Sequence, residues 1–164
     1  MYNSDMERVV IHDVTDFIIS RLVDGGGYLN QLKLQKLLYY TQAWHLAHFS
    51  TPLFIGRFQA WVHGPVNREI FNRFRSTKML YSEVGREDII DGFNSEQSLP
   101  EDTQEFIEVI LETYGPLTGD QLETLTHHED PWILARKRCR PDEYCENEID
   151  ESVMTQYYRA RLSG

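Results

Sequence analysis

Histidine spacing is the first feature of this chain that could support chemistry. His45 and His48 lie three residues apart, so on a helix both rings would share one face and could hold a metal ion. His63, with His127-His128, could complete the site of a metal-dependent hydrolase. The HExxH pattern of such enzymes is absent, and the spacing favours His45 beside the core and His48 at the surface. The sequence therefore predicts no metal and no cofactor.

Other reactive residue types are present without the arrangement that catalysis needs. His127-His128-Glu129-Asp130 contains acids and bases, but adjacent helical residues point about 100° apart. The run is better explained as a helix end, a turn and the cap of the next helix. Neither Cys139 nor Cys145 has a nucleophile context, and the chain contains no G-x-S-x-G or phosphate-binding glycine motif. No catalytic residue is predicted, and the protein is expected not to be an enzyme.

Composition limits the possible partners and the compartment. The 164 residues suffice for one domain, and 41% hydrophobic content with 12% aromatic residues is typical of a globular protein. A formal net charge of −10 opposes binding to nucleic acid or to an anionic membrane and suits a basic protein partner. No secretory signal and no apolar run of about 20 residues is visible, and the two cysteines are expected to be reduced thiols. The chain is therefore predicted to be cytoplasmic.

Hydrophobic periodicity predicts a mainly α-helical, compact single-domain bundle of about six or seven helices over residues 1–164. Helices are expected at about residues 6–23, 30–49, 65–75 and 98–114, and further helices open near Thr118, Asp130 and Asp150. The predicted N-caps include Asn30, Thr118 and Asp130, and Pro65 is predicted as the first residue of the third helix. Alternating residues predict a short β element near residues 57–62, and residues 94–98 are expected to form an exposed loop.

The helix at residues 30–49 carries two kinds of side chain on adjacent faces. Its inward stripe is predicted to contain Leu34, Leu37, Leu38, Thr41 and Trp44. The adjacent face carries Lys33, Lys36 and Tyr40, and it is either the solvent-facing side of the helix or a protein-binding face. In the helix at residues 98–114, the side chains predicted to face inward are Phe106, Val109, Ile110 and Thr113.

Charge is unevenly distributed along the chain. Residues 57–78 are mostly basic and residues 140–151 are strongly acidic. Residues 99–112 contain no basic residue and carry Glu101, Asp102, Glu105, Glu108 and Glu112. Such runs are usually solvated helix faces, and the alternative is a polarised surface that steers a charged partner.

Three blocks of sequence resemble the SocA-like antitoxin family with a Panacea domain, also described as the phage-associated protein GepA family. The first is Lys33-Leu34-Gln35-Lys36-Leu37-Leu38-Tyr39-Tyr40, followed by Gln42-Ala43-Trp44. The second is Ala60-Trp61-Val62-His63-Gly64-Pro65-Val66, and the third contains Leu125-Thr126-His127, Pro131-Trp132 and Ala135-Arg136. The blocks occur in family order within residues 29–136. The chain departs from the family at Thr41, where a small apolar residue is more usual, and at the acidic spacer His128-Glu129-Asp130.

The resemblance implies an antitoxin that neutralises a toxin encoded beside it by direct binding. The implied toxin is a protein, for example a toxic small alarmone synthetase or another basic toxin, and a member of the family can instead deliver its toxin to a protease. The residues expected to bind the toxin, or to be polar members of the motif, are Lys33, Gln35, Lys36, Tyr40, His63, Arg68 and His127. The residues implied to be structural are Leu34, Leu37, Leu38, Trp44, Trp61, Gly64, Pro65, Pro131 and Trp132.

Overall fold

One long helix forms the axis around which the other elements are arranged. The computed structural model describes residues 9–162, which contain eight α-helices: α1 (Ile11–Asp24), α2 (Gln31–Phe49), α3 (Arg68–Phe74), α4 (Ser95–Ser98), α5 (Glu101–Tyr114), α6 (Gly119–His127), α7 (Asp130–Ala135) and α8 (Glu151–Leu162). Strands β1 (Gln59–Trp61) and β2 (Gly64–Val66) form a small antiparallel sheet between α2 and α3. A 3-10 turn, Arg86–Asp88, precedes α4. The predicted mainly helical fold is confirmed.

The N-caps of α2 and α6 form as the sequence predicts. The Asn30 side chain accepts a hydrogen bond from the Lys33 amide at 2.8 Å and so satisfies one of the free amides of the first turn of α2. Thr118 and Gln121 form the predicted capping box of α6, each side chain binding the backbone of the other residue.

The start of α1, the cap of α7 and one predicted loop differ from the structure, and the helix predicted over residues 98–114 begins only at Glu101. α1 begins at Ile11, because Val10 is extended, and residues 6–8 of the predicted helix lie outside the described residues. The N-cap of α7 is Glu129, so Asp130 is the first helical residue instead of the cap. Residues 94–98, predicted to form a loop, contain the helical turn α4, in which the Asn94 side chain accepts a hydrogen bond from the Glu96 amide at 3.0 Å.

The prediction that Pro65 opens a helix is wrong. Pro65 lies in β2 opposite Ala60, and α3 begins only at Arg68, with the Asn67 side chain as its cap. Proline fits β2 because this is an edge strand that does not need the missing N–H. The other edge of β1 pairs with a distant segment, through the Ala60 amide and the Asn147 carbonyl at 2.8 Å. The β element predicted near residues 57–62 is confirmed as Gln59–Trp61.

α2 is buried on nearly all sides. Every residue from Gln31 to Ala43 is buried, and the helix contacts α1, α5, α6, α8 and β2. The predicted inward residues Leu34, Leu37, Leu38 and Thr41 are buried as expected, and Trp44 is half-buried. The interpretation of Lys33, Lys36 and Tyr40 as a solvent-facing side is wrong, since all three side chains are also buried. A helix of this kind must find hydrogen-bond partners for its polar side chains inside the protein.

Gln42 shows how α2 meets this requirement. Its side-chain oxygen accepts a hydrogen bond from the Leu53 amide at 2.8 Å, and its side-chain nitrogen donates to the Phe54 carbonyl at 2.7 Å. The buried loop at Leu53 and Phe54 is not part of a regular sheet. The side-chain amide of Gln42 therefore supplies the hydrogen bonds that a neighbouring strand would otherwise make to its backbone.

A buried ion pair ties α1 to α3. The Arg73 guanidinium donates to the carboxylate of Asp16, which is 1% exposed, and also to the Asp88 carbonyl at 2.8 Å. Burial raises the pKa of Asp16, while the hydrogen bond and charge of Arg73 act in the opposite direction. The ion pair therefore stabilises the charged form of an acid that burial alone would neutralise.

The inward face of α5 is shifted from the predicted one. Ile107, Ile110 and Leu111 are buried, whereas Val109 and Thr113 are exposed. Within α8 the buried residues are Met154 and Tyr158. Among residues 9–162, no helix combines the length and the apolar character needed to cross a membrane.

Replacing Gln42 by alanine tests whether the side chains of α2 hold the loops. Gln42→Ala leaves the Leu53 amide and the Phe54 carbonyl buried without a partner, and we expect the free energy of unfolding to fall by about 2–4 kcal/mol. Urea unfolding followed by circular dichroism measures the change. Gln97→Ala, at an exposed glutamine of α4, is the matched control and should change stability by less than about 0.5 kcal/mol. Equal effects of the two substitutions would contradict this role of Gln42.

Candidate functional site

The polar motif residues of α2 converge on the hairpin formed by β1 and β2. Gln35 binds the backbone of Asn67 twice, accepting from its amide at 2.8 Å and donating to its carbonyl at 3.2 Å. Lys36 donates to the Pro65 carbonyl at 3.1 Å. Both side chains act on β2 and the residue that follows it, so the first and second motif blocks form one structural unit.

Gly64 allows the hairpin to lie directly on the Lys36 side chain. Its φ of +103° is unfavourable for any residue with a Cβ atom. A Cβ atom at this position would also lie 2.4 Å from Lys36 Cε and 3.0 Å from Thr126 Oγ1. Glycine is therefore required twice, by the backbone conformation and by the close approach of α2 and α6.

The Lys36 ammonium is in an unusual position for a charged group. The side chain is fully buried and forms no ion pair with the described residues, although the negative charge of Glu123 acts on it. Burial lowers the pKa of Lys36 to about 7, and Glu123 opposes this shift. At neutral pH a large fraction of Lys36 is thus a neutral amine that donates to the Pro65 carbonyl.

His127 and Trp132 pack against the hairpin from α6 and α7. Their rings stack with centroids 4.0 Å apart and planes at 17°, and Trp132 Nε1 donates to the Trp61 carbonyl at 2.8 Å. His127 Nε2 is buried and forms no hydrogen bond within the described part of the chain. Burial lowers the pKa of His127, so the ring is neutral at pH 7 and its stacking carries no charge into the interior.

His63 is the exposed residue of the hairpin turn. Its Nδ1 lies 3.1 Å from a carboxylate oxygen of Glu123, and its ring centroid lies 6.4 Å from that of Tyr81. Tyr81 is 54% exposed and accepts a hydrogen bond at its carbonyl from the Tyr28 hydroxyl at 3.3 Å. Tyr28 and Tyr81 also line a cleft of about 480 Å³ with residues 115–120. The turn therefore adjoins an exposed aromatic surface.

Trp61 and Arg68 form a second exposed cluster on the other side of the hairpin. The Arg68 guanidinium lies 4.8 Å from the Trp61 ring and donates to the hydroxyl of Tyr144 at 3.2 Å and to the carboxylate of Glu146. The Phe71 ring meets Trp61 edge-on at 4.9 Å. Tryptophan, tyrosine and arginine are the residue types that dominate protein interfaces.

Tyr40 belongs to a buried cluster that the sequence did not predict. Its hydroxyl and that of Tyr158 both donate to one carboxylate oxygen of Glu129, at 2.8 and 2.7 Å. The Tyr39 hydroxyl bonds to Tyr158 at 3.1 Å, and the Tyr114 ring stacks on Tyr40 at 4.1 Å. Burial raises the pKa of Glu129, and the two hydroxyl donors oppose the shift. Glu129 therefore joins α2, α7 and α8, although the sequence indicated only a turn.

The predicted site residues thus fall into three environments. Lys36, Gly64, Pro65 and His127 meet at the hairpin with His63, and Tyr40 lies in the Glu129 cluster. The predicted structural residues Leu34, Leu37, Leu38, Pro131 and Trp132 are buried. Lys33 lies apart from both groups, where its ammonium donates to the Gly115 carbonyl at 2.6 Å. Of the predicted set, His63 is exposed, and Trp44, Trp61, Arg68 and His127 are half-buried.

Sequence reasoning missed Glu123 and Tyr158, and it gave Arg136 no role beyond its place in the third motif block. Arg136 is 4% exposed and donates to the carbonyls of Ala60, Arg140 and Glu143, so it fixes β1 to the loop that follows α7. The motif pointed to Arg136, but the sequence does not contain the pairing with β1 that defines its role. The sequence did contain a signal for Glu129, because this residue lies in the acidic spacer, one of the two places where the chain departs from the family it resembles.

The histidines do not assemble into one site. His45 and His48 both contact the Phe106 ring, with centroids at 5.4 and 6.1 Å, whereas His63 and His127 lie at the hairpin. Within residues 9–162, no group of three or more histidine, cysteine, aspartate or glutamate side chains is placed to hold a metal ion.

Comparison with known proteins agrees with the arrangement of the motif blocks. The SocA-like antitoxin family, Panacea domain, matches residues 34–133. Antitoxin SocA of Caulobacter vibrioides (strain NA1000 / CB15N) is 33% identical over 133 residues, which cover 78% of this chain and 71% of that protein. No solved structure matches the chain.

Substitution of Gly64 tests the contact between the hairpin and α2. We expect Gly64→Ala to lower the free energy of unfolding by about 3 kcal/mol or more, because the new methyl group meets Lys36 and the φ angle is strained. Gly26→Ala is the matched control, since Gly26 has a φ of +78° with open space around it, and we expect a loss of about 1 kcal/mol. Chemical unfolding of both variants measures the difference, and equal losses would show that Lys36 can move aside.

The Lys36 site also predicts a pH dependence of stability. Between about pH 7.5 and 9.5 the unfolded chain keeps Lys36 protonated while the folded chain holds it largely neutral. The unfolded state then binds more protons, so the free energy of unfolding should rise with pH, by at most about 1.4 kcal/mol per pH unit. Urea unfolding at several pH values should show this slope in the wild type and in Lys137→Met, an exposed control. Lys36→Met should remove most of it, and Lys33, whose pKa burial also lowers, should supply the remainder. An unchanged slope in Lys36→Met would contradict the assignment.

Proposed function

This chain belongs to the SocA-like antitoxin family with a Panacea domain, and on that premise we propose that it is a cytoplasmic antitoxin that neutralises a toxin protein by direct binding. The observation that carries the proposal is the family match over residues 34–133, supported by the relative named Antitoxin SocA. We further propose that the protein acts by occlusion and not by catalysis.

The division between buried and exposed motif residues supports a binding function. Gln35, Lys36 and Tyr40 use their polar atoms inside the protein, so they are suited to holding a rigid scaffold. Trp61 and His63 lie on the hairpin and Arg68 at the start of α3, where all three side chains are at least partly exposed. A rigid scaffold with exposed aromatic and arginine side chains is the arrangement that a tight protein interface needs, since it loses little conformational freedom on binding.

Surface charge supports a basic partner. The formal net charge is −10, and the acidic residues of α5 lie mostly on exposed positions. An acidic antitoxin would attract a basic toxin at long range and accelerate the encounter.

Co-expression with the product of the neighbouring gene tests the proposal. If that product arrests growth, this chain should relieve the arrest, and the two proteins should co-purify as a stable complex. Growth curves and size-exclusion chromatography measure the two effects. The folding-defective variant Gly64→Ala serves as a control, because it should rescue less in proportion to its loss of soluble protein.

Two other outcomes would change the conclusion. Rescue accompanied by disappearance of the neighbouring protein, and abolished when cellular proteases are inactivated, would identify an adaptor that delivers its client to a protease. Failure to rescue a proven toxic neighbour, with soluble protein present, would contradict an antitoxin function towards that protein.

A further inference from the structure

A small aromatic slot lies between the C-terminal end of α2 and the start of α5, away from the hairpin. It has a volume of about 310 Å³ and is lined by His45, Phe49, Asp102 and Phe106, together with Thr51 and Leu53. This volume is at the lower limit for small-molecule sites and suits a single side chain better than a larger ligand. None of the functional roles assigned above uses this slot, which we call the α2–α5 slot.

The walls of the α2–α5 slot are aromatic rings in contact with one another. The His45 ring lies 4.7 Å from Phe49 and 5.4 Å from Phe106, and Phe49 lies 5.9 Å from Phe106. Phe49 is 58% exposed, so its ring can be reached by a partner side chain. Aromatic faces attract cations, and they attract the flat guanidinium group in particular.

The polar atoms of the slot are hydrogen-bond acceptors. His45 Nδ1 lies 2.6 Å from the Thr51 carbonyl, and because a carbonyl can only accept, Nδ1 carries the proton. Burial lowers the pKa of His45, so the ring is neutral at pH 7 and Nε2 is an acceptor. Asp102 uses one carboxylate oxygen to bind the Thr103 amide at 2.9 Å, which leaves its second oxygen for a donor.

The charge around the slot has the sign that a cationic side chain requires. Glu101 and Glu105 are exposed on the same helix as Asp102, and Glu112 is exposed further along it. Glu108 is the exception, since it pairs with Arg21 at 2.8 Å. The C-terminal carbonyls of α2 do not add to this charge, because Arg159 already donates to the Ala47 carbonyl at 3.1 Å. The slot thus combines aromatic rings, hydrogen-bond acceptors and neighbouring acidic residues. This combination favours a hydrogen-bond donor that is both flat and positively charged.

We propose, relying on the antitoxin function above for the identity of the partner, that the α2–α5 slot binds an arginine side chain of a basic partner protein. The guanidinium would lie over the exposed ring of Phe49 and donate to the carboxylate of Asp102 and to His45 Nε2. Lysine would fill the slot less well, because its ammonium is a compact point charge that cannot stack.

A direct test uses a blocked arginine, Nα-acetyl-arginine-N-methylamide, and its neutral isostere made from citrulline. In ¹H–¹⁵N NMR spectra at pH 7.5, millimolar arginine probe should shift the amides of residues 45–53 and 102–106, and the citrulline probe should not. Asp102→Asn can keep the hydrogen bond to the Thr103 amide and should remain folded. In this variant the chemical-shift changes caused by the arginine probe should be at least fivefold smaller. Equal shifts from the two probes, no shifts in these residues, or full binding by Asp102→Asn would overturn the proposal.

A second test uses the purified product of the neighbouring gene and separates the slot from the antitoxin function. Asp102→Lys should weaken that complex at least tenfold, whereas Asp142→Lys, the same charge change at another exposed acid, should weaken it less than threefold. If the wild type binds the toxin and both variants bind alike, the slot is not the interface while the antitoxin function stands. If the wild type does not bind the toxin, the proposed function fails for that protein, and the arginine probe alone decides the slot.

Discussion

The burial of α2 is the constraint on which the rest of the structure depends. A helix enclosed on all sides cannot send its glutamines and lysines to water, so other segments must supply partners for them. Gln42 binds the loop at Leu53 and Phe54, Gln35 binds Asn67, and Lys36 binds the Pro65 carbonyl. These segments form only the short strand β2 and otherwise irregular loops, and the side chains of α2 satisfy several of their backbone groups. The polar residues of the first motif block are thus the means by which one helix fixes the course of a long irregular segment.

The ionisable side chains buried in this interior either have partners that offset the cost of burying their charge or lose the charge. Asp16 is paired with Arg73, Glu129 receives two tyrosine hydroxyls, and Arg136 is surrounded by backbone carbonyls. Lys36 has no such partner of opposite charge in contact, and burial therefore shifts its equilibrium towards the neutral amine. The same physical rule, that a buried charge must be paired or lost, accounts for all four cases.

Local chemistry predicted the helices well, and distant pairing explains the errors. The ends of α2 and the capping box of α6 depend on neighbouring residues, so the sequence contained them. Pro65 suits both a helix start and an edge strand, and only its pairing with Ala60 decides between them. Lys36 and Tyr40 have the residue types of an exposed face, and their burial depends on β2, α6 and α8, which lie far along the chain. From the sequence Glu129 is expected to be a turn residue, because its contacts with Tyr40 and Tyr158 form only in the folded protein. The α2–α5 slot was likewise hidden, since its His45 and Asp102 come from separate helices.

The position of α8 in the chain has a consequence for synthesis on the ribosome. α8 covers α2 and completes the tyrosine cluster through Tyr158, which bonds to Tyr39 across a separation of 119 residues. In a nascent chain, α2 emerges from the ribosome before α8. Tyr39, Tyr40 and Glu129 can therefore be buried together only after α8 has also emerged. Until then water, and not Tyr158, satisfies the polar groups of these three side chains. Closure of this part of the core therefore cannot precede the synthesis of α8, however early α2 forms.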